Sequence, residues 1–260
     1  MALLHVDFFS DVLGMCTQMD VILPENTRGQ IGMEGKAGAG RLKTLYLLHG
    51  MSDDHTIWQR RTSIERYAAD KGIAVVMPTT HLGWYTDMHI GYDYFTFITR
   101  ELPAICRNFF PNMSADPKDN YVAGLSMGGY GALKCGLRAS DVFSKCASLS
   151  GALDAVSVCA NSDNNDLWFN IFGPKEGVRG SFNDLFAAAE ELVPEKRPEV
   201  YIWCGTEDFL YDHNVRMRAH LEKLGYTLTY EESPGDHQWK YWDTKIQTVL
   251  DWLIPEEEVK

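Results

Sequence analysis

One short segment holds residue types able to attack a carbonyl carbon: Gly124-Leu-Ser-Met-Gly128, within the longer run from Tyr121 to Ala132. A serine hydroxyl is a weak nucleophile until a neighbour takes its proton, so its setting decides whether it can react. Here the glycine-x-serine-x-glycine pattern follows an apolar β-type run at 121–123 and precedes a small-residue helical pattern at 127–138. That context is what a sharp strand-to-helix turn requires. Such a turn strains the backbone of Ser126 and lifts its hydroxyl above the strand end. Gly124 and Gly128 suit it, because a Cβ at either place would collide as strand and helix converge. A helix starting just after the serine also aims free N–H groups at developing negative charge.

The serine needs a base, and the base needs an orienting acid. With this type of turn the chain order is serine, acid, histidine. Of the eight histidines, three follow Ser126: His213, His220 and His237. His213 and His220 fall in one helical pattern, where a histidine is mostly a solvated surface residue. His237 lies in Ser233-Pro-Gly-Asp-His-Gln238, between an extended run and the last helical pattern, and is the expected base. The acid should follow the preceding β-type run, which leads into Cys204-Gly-Thr-Glu-Asp-Phe-Leu-Tyr211. Glu207, Asp208 and Asp212 are the candidates, and the Gly-x-x-Asp turn favours Asp208. Asp236 adjoins His237, but sequence neighbours rarely face each other, so it reads as a loop acid.

A tetrahedral oxyanion needs backbone donors. The N–H of Met127, directly after the serine, is one. His49-Gly50-Met51, after the β-type run at 44–48, offers the second at the Met51 N–H, with His49 bracing the loop. Trp84, Tyr85, Trp168, Phe172 and Trp239 lie near expected strand ends and are candidates to wall a substrate pocket. Each also suits a plain core position.

The elements that must hold these residues follow from periodicity. Two extended runs at 5–9 and 18–23 open the chain as a hairpin-like pair, and a Gly-rich polar loop spans 24–40. β-type runs then fall at 44–48, 73–77, 121–123, 145–149, 199–203 and 227–231. Helical patterns at 59–71, 92–109, 127–138, 182–192, 212–224 and 239–253 alternate with them, and Pro103 should kink or break the second. Apolar strands alternating with helices predict a mostly parallel sheet covered on both faces. The expected architecture is therefore α/β, with eight strands in a single domain spanning 1–260, and the serine turn with the chain order serine, acid, histidine makes the expected fold the α/β-hydrolase fold. The stretch at 152–181 breaks the alternation yet holds Leu167, Trp168, Phe169, Ile171 and Phe172. It reads as a cap-like insertion, extending to about 195, beside the strand ends where ligands bind in open sheets.

Composition narrows the function classes. The 260 residues are 45% hydrophobic and 23% charged, an ordinary globular balance. The net charge of −12, without a basic run, argues against nucleic-acid and anionic-membrane partners. Six cysteines at 16, 106, 135, 146, 159 and 204 form no C-x-x-C pair, so no zinc-knuckle or redox motif is expected. With neither a leader pattern nor an 18-residue apolar stretch, the reading is a cytoplasmic protein with reduced thiols.

Several segments together resemble the tributyrin-esterase (EstA-like) members of the esterase D family of carboxylesterases. They are Leu47-Leu-His-Gly-Met51, Gly83-Trp-Tyr-Thr-Asp87, Glu101-Leu-Pro103, Phe109-Phe-Pro-Asn-Met113, Gly124 to Gly131, Trp203-Cys-Gly205 with Asp208-Phe-Leu-Tyr211, and His237 with Trp239 and Tyr241-Trp242. The resemblance runs over nearly the whole chain. It implies hydrolysis of short-chain acyl esters, acetylated carbohydrates included, by Ser126, Asp208 and His237 without metal or organic cofactor. It also implies a homo-oligomer, dimer or tetramer. Feruloyl or cinnamoyl ester hydrolysis, S-formylglutathione hydrolysis and acyl transfer are the alternatives on the same chemistry. Met51-Ser-Asp-Asp-His55 lacks the cysteine that S-formylglutathione hydrolases typically carry after this loop. A non-catalytic binding protein on the same scaffold fits poorly with a complete set of serine, acid and base.

Overall fold

The computed structural model describes residues 1–29, 31, 32, 35, 37, 40–160 and 165–255. The expected loop at 24–40, the insertion at 152–181 and the end of the domain at 256–260 therefore fall partly outside the described residues. Strands β1 (Ala2–Ser10), β2 (Met15–Leu23), β3 (Thr44–Leu48), β4 (Ala74–Pro78), β5 (Asn120–Leu125), β6 (Lys145–Leu149), β7 (Glu199–Gly205) and β8 (Leu228–Ser233) form one sheet. Its order is β1-β2-β4-β3-β5-β6-β7-β8. β1 pairs with β2 and β2 with β4 in antiparallel fashion, and every other pairing is parallel. This is the eight-stranded α/β-hydrolase architecture expected from the alternation, with the opening hairpin extending one edge.

Period-2 patterning explains the covering on both faces. In β3, Leu45 and Leu47 belong to one core, Tyr46 and Leu48 to the other. No residue of β3 is left to face water, so the run reads as continuously apolar. One core is covered by α1 (Ile57–Arg61), α2 (Ile64–Lys71) and α10 (Trp239–Leu253). The other holds residues of α3 (Tyr94–Thr96), α4 (Leu102–Phe109), α5 (Met127–Arg138), α6 (Ala155–Ala160), α7 (Asn165–Phe172), α8 (Leu185–Glu191) and α9 (Tyr211–Leu224).

Two helices differ from expectation for local reasons. The pattern at 59–71 divides into α1 and α2. Thr62 donates its hydroxyl to the Trp58 carbonyl at 2.6 Å and accepts the Ile64 N–H at 3.1 Å, so its side chain competes with the helical ladder. Around Pro103 the helix is a composite: a π-helical turn, Phe97–Glu101, separates α3 from α4. Pro103 then falls in the first turn of α4, where its missing N–H breaks no bond.

The chain leaves β3 towards β4 on one side and leaves β5 towards β6 on the other, although β3 and β5 are hydrogen-bonded neighbours. Their C-terminal ends thus bound the crevice where an open α/β sheet binds its ligand. Leu48, next to His49, pairs with Gly124, two residues before Ser126. Topology alone brings the two segments together.

The stretch at 152–195 contributes α6, α7 and α8. It is tied down by Asp154, which is 2% exposed. The carboxylate accepts from Arg216 Nη1 on α9 at 2.6 Å and from the Ser157 hydroxyl at 2.9 Å, and Arg179 lies 3.9 Å away. Burial alone would raise the Asp154 pKa; the Arg216 and Ser157 hydrogen bonds outweigh it and hold the carboxyl below its usual range. A depressed folded-state value means that this stabilisation is complete above the ordinary carboxylate range and is lost as pH falls through the lowered value. Asp154→Ala should cost about 1–3 kcal/mol, because Arg216 and Arg179 are part-exposed and solvent screens them once freed. Urea unfolding at neutral pH checks this; an unchanged midpoint refutes the tether.

Candidate active site

Ser126 sits between β5 and α5 with φ +54° and ψ −116°, a left-sided conformation that residues with a Cβ rarely adopt. Its N–H donates to the Leu149 carbonyl at 2.9 Å, and its carbonyl accepts from Ala152 at 3.1 Å. The turn is thus clamped to the end of β6. A Cβ on Gly128 would lie 2.6 Å from the carbonyl oxygens of both Leu48 and His49, so α5 can press this close to the β3 loop only with glycine there.

The Ser126 hydroxyl donates to His237 Nε2 at 2.9 Å. His237 Nδ1 donates to Asp208 Oδ2 at 2.8 Å. Asp208 Oδ1 also accepts the Leu210 N–H at 2.9 Å. Burial would raise the Asp208 pKa, but the hydrogen bonds from His237 and Leu210 prevail and hold it below the usual value. An ionised carboxylate only accepts, so it fixes the proton on Nδ1 and leaves the Nε2 lone pair facing the serine. His237 is flanked by Phe209, with ring centroids 4.6 Å apart, and by Trp242 edge-on at 4.8 Å. Trp242 is itself anchored by its indole N–H to Ser150 Oγ at 3.1 Å.

Met127 opens α5 and is buried, whereas Met51 is 38% exposed beside the serine. Among the described residues, no backbone carbonyl takes the Met51 N–H, which lies in the turn after β3, and no loop carbonyl takes the Met127 N–H at the start of α5. His49 is buried. The Thr80 N–H donates to its Nε2 at 3.0 Å, so Nδ1 carries the proton and donates to the Gly50 carbonyl at 2.7 Å. Burial pulls the His49 pKa down to about 4, which keeps the ring neutral and this bracing intact near pH 7.

A cavity of about 520 Å³ opens over Ser126 and His237. Trp84, Trp168, Val158 and Ala152 line it together with Phe209, Leu210 and Met51. Of the aromatic candidates, the structure brings Trp84 and Trp168 to this wall, edge-on to each other at 5.0 Å. It does not bring the other three. Tyr85 is completely buried, with its hydroxyl donated to the His49 carbonyl at 2.8 Å, because the turn at 84–85 points consecutive side chains apart. Phe172 stacks behind Trp168 at 6.2 Å, four residues along the same helix. Trp239 packs against Trp58 at 5.1 Å, while Trp242, three residues on, meets the imidazole. The lining residues that sequence reasoning missed are Ser52, Phe209, Leu210, Val158 and Ala152. Phe209 and Leu210 carried a signal, following the acid in the Asp208-Phe-Leu-Tyr211 run, as did Ser52, which follows Met51.

Glu207 lies one residue from Asp208 but is exposed, and it accepts the Gly235 N–H instead of a histidine. His220 donates to or accepts from nothing in the site; it faces the Phe186 carbonyl at 3.1 Å. Among the described residues, no three His, Cys, Asp or Glu side chains converge to hold a metal ion, and no helix is long and apolar enough to cross a membrane. All six cysteines are free. Chemically, a serine hydroxyl hydrogen-bonded to an imidazole that is itself held by a carboxylate can add its oxygen to a carbonyl and pass its proton to the ring.

The esterase family model, described as "Putative esterase", matches residues 10–253. Acetyl esterase of Caldicellulosiruptor saccharolyticus is 30% identical over 97% of this chain and 98% of its own length. Among solved structures, the fluorophosphonate-binding serine hydrolase FphF of Staphylococcus aureus is 34% identical, with a TM-score of 0.87 over 98% of this chain and 99% of that one. S-formylglutathione hydrolase (FrmB) of Staphylococcus aureus is also 34% identical, with a TM-score of 0.84 over 97% of this chain and 98% of that one.

Proposed function

This chain belongs to the esterase family of carboxylic ester hydrolases with the α/β-hydrolase fold, and from that premise we propose that it hydrolyses short-chain acyl esters, acetyl to butyryl, through an acyl-enzyme on Ser126. The observation that carries this reading is the unbroken line from Ser126 through His237 to Asp208, at 2.9 and 2.8 Å. In this reading His237 takes the serine proton and passes it to the leaving alcohol. Asp208 keeps the tautomer, and the N–H groups of Met51 and Met127 hold the oxyanion. Water then repeats the cycle on the acyl-enzyme. Two indoles, Trp84 and Trp168, belong to the wall of the cavity over the serine, and the likeness to an acetyl esterase supports a short acyl group there.

We read the chain as one domain in which 152–195 caps the site, and as a cytoplasmic homo-oligomer without metal or organic cofactor. Its free, mostly buried thiols suit a reducing compartment. Two further readings keep the same residues. Similarity to FrmB favours S-formylglutathione as an alternative acyl donor. The aromatic wall would also accept a feruloyl ring, and an alcohol in place of water would make the enzyme an acyltransferase.

Initial rates over acetyl, butyryl, octanoyl and feruloyl esters, with S-formylglutathione alongside, test the proposal. We expect kcat/KM to be highest for acetyl to butyryl and at least about tenfold lower for octanoyl, equivalent to roughly 1.4 kcal/mol of lost transition-state binding. A maximum at octanoyl, feruloyl or S-formylglutathione would replace the substrate class while keeping the chemistry.

A further inference from the structure

Trp84 and Tyr85 are consecutive, bulky and both left-handed, at φ +50° each. A residue with a Cβ resists that region, and two in succession persist only where the surroundings hold them. The holding groups are visible. The Thr86 hydroxyl donates to the Trp84 carbonyl at 3.0 Å and accepts from Lys134 Nζ at 2.8 Å. Lys134, on α5, is fully buried and also donates to Asn183 Oδ1 at 2.6 Å. Its ammonium sits 5.2 to 5.7 Å from the ring centres of Phe95, Phe182 and Tyr130. Gly131, also on α5, leaves the space that the Tyr85 ring fills.

What this locked turn delivers is the Tyr85 hydroxyl, donated to the His49 carbonyl at 2.8 Å. His49 and Gly50 lead directly to Met51. No peptide among the described residues is cis. In a trans peptide the C=O and N–H point opposite ways, so fixing one end fixes the other. Tyr85 fixes the His49–Gly50 peptide by its carbonyl. The His49 ring fixes the Gly50–Met51 peptide by the Gly50 carbonyl, at 2.7 Å. Two successive peptide planes are thereby set, and the second carries the Met51 N–H.

We infer that Tyr85 is a positioning residue of the oxyanion hole, and that the Lys134–Thr86 lock on its left-handed turn sets the Met51 donor and the Trp84 pocket wall as one unit. The inference rests on the proposed esterase reading. It concerns alignment of a donor to the tetrahedral intermediate and not to the planar substrate, so its signature lies in kcat.

The experiment compares wild type, Tyr85→Phe and Lys134→Met on p-nitrophenyl acetate and butyrate, with affinity for a boronic acid that forms a tetrahedral adduct on serine. Tyr85→Phe should lower kcat by about 10- to 100-fold, somewhat less than outright loss of a donor. KM should stay within about threefold, and boronate affinity should fall in step with kcat/KM. Lys134→Met should shift kcat and boronate affinity in the same direction, which keeps the test decisive if Tyr85→Phe fails to fold. Wild-type kcat in both folded variants overturns the inference, as does a loss confined to KM with boronate affinity unchanged. Wild-type protein inert on every ester would bring down the esterase reading and this inference with it; an active wild type matched by both variants brings down this inference alone.

Discussion

Ser126→Ala is expected to cut kcat by about 10⁴- to 10⁶-fold, on the scale seen when a triad nucleophile is removed. The change deletes the atom that would form the acyl-enzyme, and nothing nearby replaces it. Ser52 lines the same cavity, yet the imidazole nitrogen faces Ser126 at 2.9 Å. Folding should survive. The side chain contributes one hydrogen bond in a partly exposed place, and alanine removes no packed volume beyond the hydroxyl. Residual turnover would reflect the oxyanion donors and binding alone. Kinetics on butyryl esters, with a thermal melt to certify the fold, checks this. Turnover within tenfold of wild type would mean that another residue attacks.

The second large effect is expected at Asp208→Asn, at about 10⁴-fold in kcat. The two side chains have the same shape, so packing is preserved and the loss isolates the charge. Asp208 Oδ2 accepts from His237 Nδ1, and its other oxygen is held by the Leu210 N–H. That second bond dictates which amide atom goes where. In asparagine the oxygen would stay on Leu210 N–H, leaving NH₂ towards the imidazole. A donor facing Nδ1 moves the ring proton to Nε2, the nitrogen that must be free to take the serine proton. Glu207 cannot stand in, because its carboxylate is turned away to the Gly235 N–H. An Asp208→Asn variant that kept wild-type kcat would show that the carboxylate only braces the loop.

Much of this was legible in the sequence because the signals are local. Strand, tight glycine turn and helix are contiguous around Ser126, and chain order then selects His237 and Asp208 from distant loops. The eight strands were legible for the same reason: runs such as Thr44–Leu48 are buried on both faces and read as uninterrupted apolar stretches. What escaped depends on side-chain direction. Trp84 and Tyr85 are neighbours with the same chemistry, but two left-handed residues send one to the pocket and the other under the oxyanion loop. Trp168 and Phe172, or Trp239 and Trp242, are one helical turn apart, and a small rotation of the helix decides which ring arrives. The break between α1 and α2 turns on a single threonine hydroxyl choosing the Trp58 carbonyl. Phe209 was hidden for another reason. At 75% exposed it joins no core, and what marks it as part of the site is the His237 imidazole beside its ring.

In the proposed reading Ser126 is activated to attack an acyl carbon, and the same activation lets it attack the phosphorus of a fluorophosphonate. A fluorophosphonate probe reads this directly, since it reacts only with a serine whose proton has somewhere to go. Incubating the protein with the probe and mapping the adduct by peptide mass spectrometry should give one modified residue, Ser126, with labelling abolished in Ser126→Ala. Wild-type protein that stays unlabelled, or a Ser126→Ala variant that labels as well as wild type, would contradict the account.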